Sequence, residues 1–151
     1  MASKQIRELL EPVSVLVADG NNYTRRLTRG MLQHLGIRNI YESTDGVSAL
    51  ETVRGGNPDI MILEWGLPLL DSVEVMRIVR TPGMFPKPNL PVIMLLESGI
   101  KSQVTQAMRL GAHEVLVKPI SPYALEQRLL SILLKPRPMV RAGKYYIPMP
   151  R

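Results

Sequence analysis

The 151-residue sequence predicts an α/β fold: a doubly wound, five-stranded parallel sheet with a C-terminal extension. Two observations carry this. β-rich runs alternate with helical patterns five times along the chain. The central run, Ile60-Met61-Ile62-Leu63, is apolar at every position, as suits a strand in the middle of a parallel sheet. Strands separated by helices at this spacing imply right-handed parallel crossovers. Five such units fit the flavodoxin-like strand order 2-1-3-4-5.

Residues 1–12 read as a short polar leader. Residues 13–18 are β-rich and end at Asp19-Gly20-Asn21-Asn22, a turn and helix-start signal. A helix follows, with Tyr23, Leu27, Met31 and Leu35 at four-residue spacing and Gly36 closing it. Residues 39–43 make a short second strand. Thr44-Asp45-Gly46 then turns into a helix carrying Val47, Leu50 and Val53, which Gly55-Gly56 ends. Residues 60–63 are the third strand. Residues 71–80 are helical, with Val75, Ile78 and Val79 inward, and 82–88 form a loop. Residues 92–96 are the fourth strand, and 101–110 a helix closed by Gly111. Residues 114–117 are the fifth strand, followed by Lys118-Pro119. Residues 122–134 are the last helix, with Pro122 near its first turn, where a missing N–H costs little. In such a sheet the site lies at the carboxyl ends of the strands, at the switch between the first and third. That points to Asp19-Gly20 and Glu64, with Leu96 and Lys118 at the neighbouring strand ends.

Composition narrows the classes. Apolar residues make up 45% of the chain, enough for one core at this length. The absence of cysteine excludes disulfides and thiolate metal sites. No apolar run approaches the ~18 residues that span a bilayer, so a soluble, cytoplasmic protein is expected, with no membrane partner. The net charge of +6 is concentrated at one end: residues 135–151 hold five basic residues and no acid, leaving 14 basic against 13 acidic in the first 134. A basic tail can touch nucleic acid, but a solvated arm or a partner-binding strap is its commoner use, and nucleic acid is not the expected partner.

Five motifs stand in order: Val-Leu-Val-Ala-Asp-Gly-Asn at 15 to 21, Pro-Asp-Ile-Met-Ile-Leu-Glu-Trp at 58 to 65, Leu-Pro-Leu-Leu-Asp-Ser at 67 to 72, Pro-Val-Ile-Met-Leu at 91 to 95, and Gly-Ala-His-Glu-Val-Leu-Val-Lys-Pro at 111 to 119. Over residues 13–134 they resemble the receiver domains of two-component response regulators (the CheY-like family). The resemblance implies a pocket of five groups. Two acids after the first strand and a phosphoacceptor aspartate ending the third hold Mg²⁺. A hydroxyl ending the fourth strand and a lysine ending the fifth bind phosphoryl oxygens. Here Asp19 matches the first acid and Lys118 the lysine, but Gly20 stands at the second acid, Glu64 at the acceptor and Leu96 at the hydroxyl. The family's switch ring on the fifth strand is Val115.

Each departure has a physical consequence. Mg²⁺ demands near-ideal octahedral geometry and gives up water reluctantly, and glycine removes one ligand and one charge. Glu64 carries its carboxylate roughly 1.5 Å further out than aspartate would. A misplacement of about 1 Å can cost on the order of 10²-fold in rate. Leu96 offers neither donor nor acceptor. Phosphoryl transfer rests on positioning and charge stabilisation, so a receiver fold without the chemistry is expected: no enzyme, no metal, no cofactor, and one fixed state. The bland readings are a turn or helix N-cap for Asp19, a half-buried ion pair for Glu64 with Lys118, and apolar filler for Leu96. His34 and His113 read as surface or helix-end residues without partners at metal-ligand spacing.

The last helix has more apolar residues than one buried stripe needs. Leu125, Leu129 and Leu133, with Val104 and Met108, are therefore candidate interface residues of a homodimer. The tail mixes prolines with Tyr145, Tyr146 and other apolar anchors, and is expected to dock across a dimer partner or capture another protein. The function expected is a phosphorylation-independent interaction module of phosphorelay signalling, meeting a histidine kinase or an output protein. Two alternatives stand beside it: a working phospho-receiver using Glu64, Asp59 or Asp71, and a small-ligand sensor at the vacated pocket.

Overall fold

The computed structural model describes residues 3–151. Five parallel strands form one sheet in the order β2-β1-β3-β4-β5, where β1 is Ser14–Ala18, β2 Asn39–Ser43, β3 Ile60–Glu64, β4 Val92–Leu96 and β5 Glu114–Val117. The expected strand order is the observed one. The helices are α1 Ser3–Leu10, α2 Asn22–His34, α3 Gly46–Gly56, α4 Ser72–Arg80, α5 Lys101–Arg109 and α6 Pro122–Leu134. Four of them start at side chains that cap the first free N–H groups: Asn21, Asp45, Asp71 and Ser121.

Successive residues of a strand face opposite sides, so the sheet divides the core in two. Leu16, Ala18, Met61, Leu63, Met94 and Leu96 pack with Ala49 and Val53 of α3, Val75, Met76 and Val79 of α4, and Ala107 of α5. Val15, Val17, Ile60, Ile62, Ile93 and Leu95 pack with Leu10 of α1, Leu32 of α2, and Leu125, Leu129 and Ile132 of α6. Among the described residues no helix is long and apolar enough to cross a membrane.

Several sequence expectations need correction. Residues 3–10 are not a bare leader: they form α1, which buries Leu10 completely and packs Ile6 against the core. In α2 only the later half of the four-residue stripe meets the core: Met31 and Leu35 pack against it, while Tyr23 is 72% and Leu27 46% exposed and Arg25, Thr28 and Leu32 are buried. Val47 is likewise exposed on α3. Leu125 and Leu129 are wholly buried, so they are core rather than interface.

His113 is buried, not at the surface. Its Nδ1 accepts from the Val92 N–H and faces the Arg80 guanidinium, each at 3.3 Å. Burial, with Arg80, Arg137 and Arg151 nearby, pushes its pKa down to about 3. Arg80 is itself wholly buried, and it donates to the carbonyl oxygens of Gly111 and Pro88.

The tail, expected to dock on a partner, forms a hairpin that docks on its own domain. Strands β6 Met139–Ala142 and β7 Tyr145–Pro148 pair antiparallel around Gly143, whose φ is +65°. β7 lies against α4 of its own chain. Arg137 ties the hairpin down through Glu114 Oε2 at 2.9 Å and the His113 carbonyl. Tyr145 and Tyr146 are half-buried.

The loop from Trp65 to Asp71 is pressed onto α3. A Cβ on Gly46 would stand 1.9 Å from the Leu70 carbonyl oxygen. Gly46→Ala therefore forces backbone to move, and urea unfolding should show a loss of about 1–3 kcal/mol with the denaturant slope unchanged. His113 gives a pH prediction. Its folded pKa of about 3 lies below the ordinary 6.5, so in that window the unfolded chain binds a proton that the folded chain refuses. Stability should fall as pH drops through the window, by up to about 1.4 kcal/mol per pH unit. His113→Asn, which keeps an acceptor and loses the proton, should flatten that fall in urea titrations.

Candidate functional site

The carboxyl ends of β1, β3 and β5 bring Asp19, Gly20, Glu64 and Lys118 together, as the sequence leads one to expect. Lys118 is anchored first: its backbone N–H donates to the Leu96 carbonyl at 2.8 Å, and a cis peptide joins it to Pro119. Its ammonium donates to Glu64 Oε1 at 2.8 Å and to Asp19 Oδ2 at 3.2 Å, and lies 3.5 Å from Glu97 Oε1. The side chains are 9% exposed for Lys118 and 12% for Glu64, and Asp19 is sealed.

Every carboxylate oxygen of the pair is engaged. Glu64 Oε2 accepts the Gly20 N–H at 3.0 Å. Asp19 Oδ1 accepts the Asn21 N–H at 2.9 Å, and its Oδ2 accepts the Thr24 hydroxyl at 2.6 Å as well as Lys118. Asp19 is thus a turn acceptor, while the N-cap of α2 is Asn21. Arg25 supports the turn by donating to the Asp19 carbonyl at 3.0 Å, and is itself held by Glu42 at 3.2 Å.

The two acids titrate in opposite directions. Burial pushes Asp19 up, but contacts with Glu64, the Thr24 hydroxyl, the Asn21 N–H and Lys118 together hold it below the usual value. Burial pushes Glu64 up, Asp19 beside it adds to that, and Lys118 and the Gly20 N–H only partly offset the rise. Burial alone would lower Lys118, but its contacts with Glu64 and Asp19 raise it. Two acids share one ammonium, and Glu64 is the member that takes up a proton first.

The remaining positions are filled with carbon. A Cβ on Gly20 would stand 3.1 Å from Pro68 Cδ and 3.3 Å from the Thr44 carbonyl oxygen. Leu96 is wholly buried in the core, and Val115 packs half-buried against the same cluster. Ser72, also buried, donates its hydroxyl to the Trp65 carbonyl and holds the turn after Glu64. Of the other acids, Asp71 caps α4, and Asp59 precedes β3 at the end remote from Glu64, held by Ser14. Val104, Met108 and Leu133 are partly buried against the core, so each offers only part of a surface.

Sequence reasoning missed Thr24, Arg25 and Glu97. Thr24 had a signal: it lies three residues after the helix cap Asn21, on the turn that faces Asp19. Glu97 is largely exposed and has no local pattern to mark it.

Removing the shared cation should expose the tension. Lys118→Met leaves Asp19 and Glu64 buried without a counter-ion, so a loss of about 3 kcal/mol is expected at neutral pH. The loss should shrink as pH falls and the acids protonate, since a neutral carboxyl needs no counter-ion. The Glu64→Gln/Lys118→Met double variant should lose less than Lys118→Met alone, as read by urea unfolding.

Comparison with known proteins places the fold in a family. Residues 15–130 match the family model described as the response regulator receiver domain. The chain is 28% identical to the chemotaxis protein CheY of Pseudomonas aeruginosa over 120 residues, covering 80% of this chain and 95% of CheY. It is also 28% identical to CheY1 of Helicobacter pylori over 122 residues, covering 80% and 97%. Among solved structures, the receiver domain of the Francisella response regulator 1452 superposes with a TM-score of 0.71 at 28% identity, covering 82% of this chain and 97% of that one. A CheX–CheY–BeF₃–Mg²⁺ complex from Borrelia burgdorferi matches with a TM-score of 0.71 at 25% identity, covering 82% and 90%. With the family model matched over residues 15–130 and the fold shared with its solved members, this chain belongs to the response regulator receiver domain family.

Proposed function

We propose that this chain is a phosphorylation-independent receiver: a non-enzymatic interaction module of two-component signalling whose pocket is held in one state by its own ion pairs. The observation that carries this reading is the Lys118 ammonium, which sits on both Asp19 and Glu64 within 3.2 Å. In a working receiver that lysine meets phosphoryl oxygens. Here a carboxylate already occupies it.

The donor set does not fit Mg²⁺. Asp19 gives both oxygens to Asn21, Thr24 and Lys118. Gly20 contributes no ligand, and its Cβ direction is closed by Pro68. A hard cation that wants six oxygens at fixed distance would have to displace an ammonium already bonded to the same acids. Leu96 supplies no hydroxyl that could follow a phosphate, so there is no differential contact by which phosphate could favour a second state.

What persists is surface. The CheY of Borrelia burgdorferi was solved with CheX as its partner, and by that likeness the ligand here is another signalling protein: a histidine kinase, an output protein or a second copy. Tyr23 and Tyr123, 72% and 71% exposed, offer aromatic contact area on α2 and α6.

Incubation with acetyl phosphate and Mg²⁺, followed by intact mass, should leave the protein unmodified. Calorimetric titration with Mg²⁺ should give no saturable heat at this site. A stable, Mg²⁺-dependent gain of one phosphoryl group would contradict the proposal and favour a working receiver that uses Glu64.

A further inference from the structure

At the amino-terminal end of the sheet, opposite Lys118, the C-terminal segment closes over a cavity of about 260 Å³. One side of its wall is the domain: Lys87, Asn89 and His113. The other is the tail: Pro136, Arg137 and Met139. The docked tail thus supplies one of the cavity's walls.

Its electrostatics are lopsided. Arg80, Lys87, Arg137 and Arg151 bring four cations to this end. The acids are Glu114 and Asp59. Glu114 is already shared by Arg137 at 2.9 Å and Arg128 at 3.9 Å. Asp59 is on the cavity wall, but its Oδ2 is held by the Ser14 N–H at 2.8 Å and the Ser14 hydroxyl at 3.2 Å. Arg80 rests on carbonyl oxygens and a neutral imidazole rather than on a carboxylate. Arg151 donates to the Lys135 carbonyl at 2.7 Å. Burial first, and these cations second, keep His113 unprotonated.

Arg137 supplies the second, independent observation. Its side chain is only 10% exposed. One terminal nitrogen reaches Glu114 and the His113 carbonyl, but its Nε–H is buried and has no hydrogen-bond partner. A buried donor on a charged group is rarely left unpaired in a native fold; this one has almost no accessible surface, so an acceptor reaches it only with a small shift of the tail.

We propose that this cavity binds a small oxyanion, a phosphate or carboxylate group, between Lys87 of the domain and Arg137 of the tail, and that its occupancy fastens the hairpin to the domain. Such an anion would bring acceptor oxygens to Lys87, to Asn89 and to the Arg137 guanidinium on one wall, and negative charge to an end of the molecule where cations outnumber acids. Asn89 adds an amide donor on the same wall. The site is separate from the Glu64–Lys118 pocket and stands whether or not that pocket can be phosphorylated.

Inorganic phosphate is the first probe and succinate the second. Each is titrated into the full chain at constant ionic strength and followed by amide chemical shifts. Saturable shifts at Lys87, Asn89, His113 and Arg137 are expected, in one arm or both. The arm that saturates tells a phosphate site from a carboxylate site. Lys87→Gln, a half-buried loop position, should keep the spectrum of the folded protein and weaken binding about tenfold, the worth of one charge-assisted hydrogen bond. Hydrogen exchange of residues 139–148 should slow when the ligand is bound. Three results would each overturn the site: shifts that rise linearly without saturating, saturable shifts confined to Gly20, Glu64 and Lys118, or Lys87→Gln binding as tightly as the parent chain.

Discussion

One ammonium group at the end of β5 has to serve two carboxylates delivered by β1 and β3. That constraint organises the whole carboxyl edge of the sheet. Lys118 reaches both acids because its own backbone is pinned to Leu96. The cost of burying Asp19 is offset because Thr24, Asn21 and Lys118 together surround it. Glu64 fits because its extra methylene carries the carboxylate across to Lys118 and to the Gly20 N–H at once. The glycine admits this arrangement, since any larger residue there meets Pro68. Gly20, Glu64 and Leu96 are therefore mutually consistent: a glycine that leaves room beside Pro68, a carboxylate long enough to reach Lys118, and an apolar side chain sealed in the core.

The consequence for signalling follows from the energetics of ion pairs. A buried pair is worth little net against water, yet breaking it by removing one partner is expensive. A phosphoryl group entering this pocket would have to detach Lys118 from Glu64 and leave that carboxylate with only a backbone N–H. On the reading proposed above the closed network is the lower state, since Leu96 offers no hydroxyl to compensate. The molecule then has two polarised ends, one neutralised internally and the other, beneath the hairpin, with positive charge left over.

The sheet, its order and the pocket were legible because they rest on short-range patterns. Apolar runs of five residues, capping residues and the acid-to-lysine motifs each declare themselves within a few positions. What failed depends on three-dimensional neighbours. The α2 stripe holds only at Met31 and Leu35, because at the start of the helix Arg25 is buried by Glu42 and the Asp19 carbonyl, leaving Tyr23 and Leu27 outside. Leu125 and Leu129 looked surplus on α6 because α1, which covers part of the same face, read as a polar leader with only Ile6, Leu9 and Leu10 to mark it. His113 is buried by Arg80 from a distant helix, and no local spacing links the two. The hairpin went unseen since its strands are four residues each and its prolines suggest an extended arm.

The central claim is that Glu64 and Lys118 occupy each other and exclude both metal and phosphoryl group. A crystal of the full chain soaked with beryllofluoride and Mg²⁺ tests it most directly. The account predicts that Lys118 Nζ stays on Glu64 and Asp19, with neither ion bound between them. Beryllofluoride on the Glu64 carboxylate, with an octahedral Mg²⁺ beside Asp19 and Lys118 turned to the fluorides, would contradict it.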